Sequence, residues 1–517
     1  MPSKPGQGIA LALFLLLTPA LAHAEGRILV LSAEDEAAYR DAFAAADKRD
    51  WKRADAAFAK TTDGALSGPL LAQRYLSGVY APTYAELADW LRANADAPQA
   101  ADIFAMAKTR RGPSDPAPTP PAPLPRRALP QAGSTPPGDT AQARAQIQLA
   151  ADQMAQGDLA AAQLSAEAAA SGPRQGPAEY QLGLIKFRTG AFAEAATHFD
   201  DAIAWRHWDS WGASSANYWA GRAHLAAGHA KLALARFKAA LAYPATFYGQ
   251  LAEAQLGRDS ALVFAAPTIT AEEALAFMAR YPQARRAAAL AQVGRLSDVE
   301  AELRGLHARV VPVEDRLFLD FADALAAPGA QLRAAEYGGA EIAWGYCPTT
   351  DFAPDGGWRI DRAAVLAVTR QESRYSPVAV SRSNARGLMQ LLASTAGDMD
   401  PAARRSPERL FDPGYNLRLG QAYLEWLMRQ TAPDGDLVKL FAAYNGGPGW
   451  LTRWLATQPD LSDPLMILES LPRAESRDYA ERVIAGMGLC RKRFGQSAAE
   501  FAELAGGKPA RYVQLDR

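Results

Sequence analysis

The sequence predicts a mainly helical protein in which a helical-repeat solenoid precedes a separate C-terminal domain. Three observations carry that reading. The 517-residue chain is alanine-rich, 49% hydrophobic and poor in β-branched runs, a composition that favours helix over sheet. Six small and aromatic residues recur at a single offset of 38 residues. Helical patterning is interrupted by two Gly/Pro-rich stretches, which divide a chain long enough for several cores.

Taken in order, the chain opens on Lys4, an apolar run from Ile9 to Leu17, Pro19 and the triplet Ala22-His23-Ala24. This pattern predicts a secretory signal peptide over residues 1–24, cleaved after Ala24. The apolar run is short for a membrane span, and no later segment approaches 18 apolar residues. No cysteine adjoins the cleavage site, so an acylated anchor is not expected. The mature protein is read as soluble and exported, with no integral membrane segment.

Residues 25–111 follow as an N-terminal helical region. Residues 112–138 hold ten prolines and predict an exposed, extended, polyproline-like linker. The solenoid and its linker helices are expected over 139–340. There Tyr180, Gly183, Gly190, Ala195, Phe199 and Ala202 recur as Tyr218, Gly221, Gly228, Ala233, Phe237 and Ala240. A weaker copy sets Gly157 and Ala162 ahead of Gly190 and Ala195. The spacing Ala-x3-Phe-x2-Ala resembles the tetratricopeptide pattern. Gly and Ala let paired helices approach, and Phe is expected to fill the hole between one pair and the next. After the break "EYGGAEIAWGYCPTTDFAPDGGWRI", residues 341–500 form a separate domain and 501–517 a tail.

Charge and elimination narrow the chemistry. A net charge of -1 gives no electrostatic footprint for nucleic acid. All six histidines precede the last domain, which removes Ser-His-Asp and Cys-His catalysis and His-ligated metal from it. No phosphate loop or dinucleotide fingerprint follows a plausible strand, so neither cofactor nor metal is expected. Cys347 and Cys490 either pair in an oxidising compartment or stay as two buried thiols, since sequence does not give their separation.

Carboxyl chemistry remains. Asp361 is placed to cap the helix "RAAVLAVTRQES". On it Val365, Val368 and Glu372 fall on one face, an apolar stripe ending in a carboxyl group. Desolvation there would raise the pKa of Glu372 and suit it to act as a general acid. The alternative is a glutamate that ends the helix and swings into water. "ARGLMQL", "AAYNGGPGW" and "SLPRAESRDYAERV" add amides, aromatic hydroxyls and a glycine-rich turn, a lining suited to sugar.

In this order these motifs resemble the soluble lytic transglycosylases of the bacterial periplasm. The likeness covers about Trp358 to Gln496, through "RQESRYSPVAVSRSNARGLMQL", "FDPGYNLRLGQAYLEWLM", "FAAYNGGPGW" and "DPLMILESLPRAESRDYAERV". It implies an α-superhelical solenoid followed by a lysozyme-like, α-rich catalytic domain. It also implies cleavage of the bond between N-acetylmuramic acid and N-acetylglucosamine in peptidoglycan glycan strands. Glu372 would be the single acid/base, and the muramic acid's own 6-hydroxyl would close a 1,6-anhydro ring without water. Ser381 and Gln390 would line the cleavage site, Tyr444 and Asn445 would hold the sugar, and Glu475 would contact saccharide or stem peptide. The solenoid would offer a surface to other cell-wall enzymes.

The chain departs from the family's pattern at Leu392 and Ala393, usually methionine and proline. It departs also at Gly446, where alanine is usual, and at Ser476 in place of threonine. Two other readings stay open. One is a goose-type lysozyme-like muramidase that activates water through a second carboxylate, Asp398 or Asp400. The other is a periplasmic scaffold that binds glycan without cutting it.

Overall fold

The computed structural model describes residues 28–431 and 435–516. The leader expected over residues 1–24 lies outside them. Among the described residues there are 26 α-helices and no strand, only three isolated β-bridges. The predicted helical class is borne out. No described helix is long and apolar enough to cross a membrane.

The chain forms two compact units, residues up to Ala122 with Thr270–Arg295, and Pro123–Ile269 with Leu296–Arg517. In the first, helices such as Tyr84–Asn94 and Ala100–Arg110 bury Leu87, Trp90 and Ile103 in their own core. Thr83 and Glu86 close a capping box at the start of one helix, and Thr270 and Glu273 do so at another, satisfying amides that a helix start leaves without partners. Gln292 ties distant chain into this unit, since its side-chain oxygen accepts the amides of Val30 and Leu31 at 3.0 and 2.9 Å.

The second unit begins with the repeat. Helices pair as Ala141–Gln156 with Leu159–Ala170, Gln175–Arg188 with Phe192–Ala204, and Ser210–Ala226 with Ala230–Ala240. The recurrent Gly157, Gly190 and Gly228 turn each pair at φ of 84, 81 and 82°. Gly183 and Gly221 serve close approach instead. A Cβ on Gly183 would stand 2.7 Å from the Phe199 ring, and one on Gly221 would stand 2.6 Å from Phe237. Each phenylalanine therefore sits in a notch within its own pair, not only between pairs as the spacing suggested. Phe199 also reaches the next pair, stacking on Trp219 with centroids 6.1 Å apart.

The proline-rich run has neither helix nor strand and is largely exposed. Within the second unit it is fastened down. Arg127 donates to both carboxylate oxygens of Asp315 at 2.7 and 2.6 Å and covers the Tyr337 ring. The amide of Ser210 donates to Gln131, and that of Ser134 to His207.

From Arg362 onward the unit holds a compact helical domain on the same continuous core as the solenoid. A disulfide joins Cys347 to Cys490 across 143 residues, which the chain-entropy model values at about 5 kcal/mol. A buried carboxylate joins the two regions. Glu469 is 4% exposed, and its Oε1 accepts from Tyr180 at 2.6 Å, from Trp219 at 3.1 Å and from Tyr248. All three donors belong to the solenoid.

The glycine notch makes a quantitative expectation. Gly221→Ala should cost about 1–3 kcal/mol by overpacking, read from urea denaturation. In a Phe237→Ala background the same change should cost much less, because the clashing ring is gone. Equal costs in the two backgrounds would mean that Gly221 is not there for the ring.

Candidate active site

Asp361 starts the helix that carries Glu372, as its position predicted. Its side chain accepts the Ala363 amide at 2.9 Å, and the carboxylate is fully buried. Its second oxygen accepts from Arg491 at 3.2 Å and from the Leu515 amide at 3.0 Å. Arg491, 1% exposed, also donates to Glu500 at 2.6 Å and to the Val513 carbonyl at 2.6 Å. Residues 511–516 thus fold back over the helix start, where Asp516 accepts the Arg362 amide at 2.8 Å. Val365 and Val368 are fully buried, so the apolar stripe faces the core and points Glu372 along it.

The helix ends abruptly after Ser373. Arg374 and Tyr375 both take left-handed backbone, at φ of 52 and 66°, a conformation costing about 1–3 kcal/mol at a non-glycine residue. Side chains hold it. Tyr375 is buried and donates to the Leu366 carbonyl at 3.2 Å, while Arg374 grips Glu336 at 2.9 and 2.6 Å. The glutamate is therefore fixed just before the chain leaves the helix.

Glu372 is half-buried, and its pKa is raised to about 7. Desolvation is the main cause, opposed by a hydrogen bond from the Tyr479 hydroxyl to Oε1 at 2.8 Å. The negative charge of Glu475, exposed on the same helix as Tyr479, adds to the rise. A raised pKa alone does not mark this group, since half-buried Glu300 is also lifted to about 7. Glu300, however, accepts the Gly329 amide at 2.7 Å and receives no tyrosine hydroxyl among the described residues. Glu372 stands beside two. The rings of Tyr444 and Tyr479 stack 6.0 Å apart at 7°, and burial, with the charge of Glu372 second, holds both phenols protonated.

The structure brings some of the expected residues together here and uses others as frame. Tyr444 is 8% exposed and donates to the Met389 carbonyl at 2.9 Å, which ties the "GLMQ" loop to the tyrosine stack. Gln390, at φ 46°, spends its amide nitrogen on the Ala379 and Gly387 carbonyls at 3.0 and 2.9 Å. Ser381 lies exposed on the same loop and accepts the Ala385 amide at 3.0 Å. Asn445 accepts from Ser476 at 2.7 Å, next to Glu475.

Asn416 was missed by sequence reasoning. It is fully buried, accepts the Met389 amide at 2.9 Å, and donates to the Arg386 and Leu410 carbonyls at 3.0 and 2.8 Å. Gly387 packs so tightly on it that a Cβ would meet Asn416 at 2.4 Å. The only sequence signal is an amide on the inner face of the helix Pro413–Thr431. Tyr479 was visible beside Glu475, but its bond to Glu372 spans 107 residues.

One departure gains a physical cause. A Cβ on Gly446 would fall 2.1 Å from the Trp450 indole nitrogen and 2.9 Å from the Ser476 hydroxyl. Trp450 takes the space an alanine would need, under the Arg473 guanidinium, which donates to the Gly446 carbonyl at 2.8 Å. The two aspartates considered as a second carboxylate are engaged elsewhere. Asp398 pairs with Arg404. Asp400 accepts from the Ala402 amide, Tyr415 and Arg418 at 3.0, 3.1 and 2.9 Å, and its pKa is lowered.

Part of the chain is similar in sequence, and most of it in fold, to known proteins. Residues 353–467 match the transglycosylase SLT domain family. The soluble lytic murein transglycosylase of Salmonella typhimurium is 32% identical over 147 residues, 28% of this chain and 22% of that protein. The Escherichia coli K12 protein of that name is 33% identical over 133 residues, 25% and 20% of the two chains. The chain thus aligns with about a fifth of the length of these relatives. In fold, the 70 kDa soluble lytic transglycosylase of Escherichia coli matches 93% of this chain and 99% of its own, with a TM-score of 0.57 at 15% identity. A complex of the 70 kDa soluble lytic transglycosylase with bulgecin A gives 0.64 at 16%. The resemblance read in the sequence holds, as does the fold class of helical superhelix followed by lysozyme-like domain.

The charge balance at Glu372 can be measured directly. Carbon-13 NMR of glutamate-labelled protein should give Glu372 a titration midpoint near 7. Glu475→Gln should lower it, because a neighbouring negative charge is lost. Tyr479→Phe should raise it, because the ionised form loses a donor. Above the ordinary glutamate pKa the folded state resists ionising this group. Glu372→Gln should therefore gain stability over wild type as pH rises from about 4.5 to about 7, then level off.

Proposed function

We propose that this chain, whose residues 353–467 match the transglycosylase SLT domain, is a lytic transglycosylase of peptidoglycan. The observation that carries the reading is the isolation of Glu372. It is a half-buried carboxyl group with a pKa of about 7, bonded by one phenol and free of ion pairs among the described residues. Such a group is protonated for part of the time at neutral pH and can also accept a proton back.

Two steps use that property. Protonated Glu372 gives its proton to the glycosidic oxygen between N-acetylmuramic acid and N-acetylglucosamine as the bond to the anomeric carbon breaks. The substrate's N-acetyl group stabilises the cationic centre. Carboxylate Glu372 then takes the proton of the muramic acid 6-hydroxyl, whose oxygen closes the 1,6-anhydro ring. Acid and base return to their starting state and no water is consumed. One carboxyl group suffices because the nucleophile is intramolecular and already oriented.

The surrounding residues have matching roles. Tyr479 positions the acid, and Tyr444 positions the loop that carries Gln390 and Ser381 at the cleavage site. Asn445 and Glu475 contact saccharide or stem peptide. An exported, periplasmic location accords with the leader pattern of residues 1–24 and with the Cys347–Cys490 disulfide, which needs an oxidising compartment. Cell-wall partners would meet the solenoid, on which Leu164, Leu225 and Leu232 are exposed.

A hydrolytic muramidase needs a second carboxylate. Asp398 and Asp400 are bound in ion pairs, and Glu475 is the carboxyl whose charge reaches Glu372. Digestion of peptidoglycan in oxygen-18 water, with mass spectrometry of the muropeptides, distinguishes the readings. Wild type should yield anhydro ends without label. Glu372→Gln should lose about 10²–10⁴-fold in rate, while Asp398→Asn with Asp400→Asn should retain most activity. Labelled reducing ends, abolished by Glu475→Gln or by the double aspartate change, would establish hydrolysis instead. Absence of cleavage would leave a glycan-binding scaffold.

A further inference from the structure

Beside the turn that ends the Glu372 helix, the second unit holds a pocket of about 510 Å³. Residues Ser373–Val378 form one side of it. The helix Leu296–His307 contributes Ser297, Glu300 and Arg304, and the helix Pro328–Gly338 contributes Gly329 and Arg333. None of the residues given a role in the proposed chemistry lines it.

The two helices meet where Glu300 accepts the Gly329 amide at 2.7 Å. Arg304 follows Glu300 by four residues, and Arg333 follows Gly329 by four. Positions so spaced share a helix face, with Cβ atoms about 5–6 Å apart, so both guanidiniums start one turn from the same bond. Arg304 is exposed and Arg333 half-buried, which leaves their donors within reach of a ligand. Neither makes a hydrogen bond or ion pair among the described residues. They also stand close enough to repel: burial, then the charges of Arg374 and Arg304, lower the pKa of Arg333. The nearby carboxyl groups do not answer this charge. Glu336 is held by both terminal nitrogens of Arg374, at 2.9 and 2.6 Å. Burial lifts Glu300 to about 7, against its Gly329 bond and the charges of Arg304 and Arg333.

Two guanidiniums carry two positive charges, and a carboxyl group titrating near 7 cancels about half of one at neutral pH. A carboxylate ligand would leave part of the excess. A phosphate monoester brings about −1.5 to −2 and three acceptor oxygens. The hydroxyls of Ser297 and Ser376, which make no hydrogen bond among the described residues, add donors to the same pocket. Leu296, Ala326, Phe352 and Pro377 give it an apolar side. We propose that this pocket binds an organic phosphate, a phosphate monoester carried on an apolar stem. The head bonds Arg304 and Arg333, and the stem lies against Phe352 and Pro377.

The test is calorimetry of the full chain with hexyl phosphate at pH 8. Hexanoate and hexylammonium keep the stem and change the charge, and inorganic phosphate keeps the head alone. Hexyl phosphate should bind at a single site, and the other three at least about tenfold more weakly. Arg304→Gln and Arg333→Gln should each weaken it at least about tenfold, because each removes a charged donor. Glu300→Gln keeps an acceptor for the Gly329 amide and removes a negative charge, so it should tighten binding at least about threefold. In the unaltered protein the ligand should shift the side-chain Nε–H NMR signals of Arg304 and Arg333, a readout independent of how the variants fold. No binding of hexyl phosphate at millimolar concentration would overturn the proposal. So would hexanoate binding as tightly, full affinity in both folded arginine variants, or no tightening in folded Glu300→Gln.

Discussion

A buried arginine organises the catalytic end of this molecule. Arg491 sits between Asp361 and Glu500, with all three side chains at or below 1% exposure. Removing such charges from water costs several kcal/mol each. The cost is offset only if their bonds are largely made, and here the Arg491 Nε and one Glu500 oxygen remain without partners. In return the start of one helix is joined to the last turn of another. The first carries Glu372 and the second Tyr479, so both sides of the 2.8 Å bond between them rest on one cross-link. The disulfide at neighbouring Cys490 secures the second helix at the same level.

With that frame fixed, the acidity of Glu372 follows from a balance. Burial and Glu475 favour the protonated form, and the Tyr479 hydroxyl favours the ionised one. Neither side overwhelms the other, which leaves the group near neutrality, where it can act in both directions. The tyrosine stack extends this control outward. Tyr444 shares the ring face of Tyr479 and holds the Met389 carbonyl, and Asn416 binds the Met389 amide from the opposite side. The loop that would meet a substrate is thus gripped through one residue's backbone.

Local rules made part of this legible. The repeat was readable because close helix packing demands glycine at a fixed offset from phenylalanine, as at Gly183 with Phe199. The cap at Asp361 and the stripe leading to Glu372 were readable because both depend on residues within a few turns. Pairings across the chain were not. Arg491 lies 130 residues from Asp361, and nothing in its neighbourhood distinguishes it from a surface arginine. The turn at Arg374 and Tyr375 was hidden for the opposite reason, since neither residue type favours left-handed backbone. The cysteine pairing, open in the sequence, is closed in the fold. The role of Gly446 needed the position of Trp450, which spacing cannot give.

The domain that aligns with other proteins covers little more than a quarter of this chain, as though it were a transferable module. Glu469 qualifies that picture. Its carboxylate ends the helix Pro464–Glu469, two residues past the matched stretch 353–467, and Tyr180, Trp219 and Tyr248 supply its donors from the solenoid. A recombination event that moved the domain alone would leave an acid without its solvation shell and an apolar face without its cover. The unit that can be inherited intact is therefore longer than the unit that sequence similarity delimits. A substitution at Glu469 would strand an aromatic triad more than 200 residues earlier in the chain.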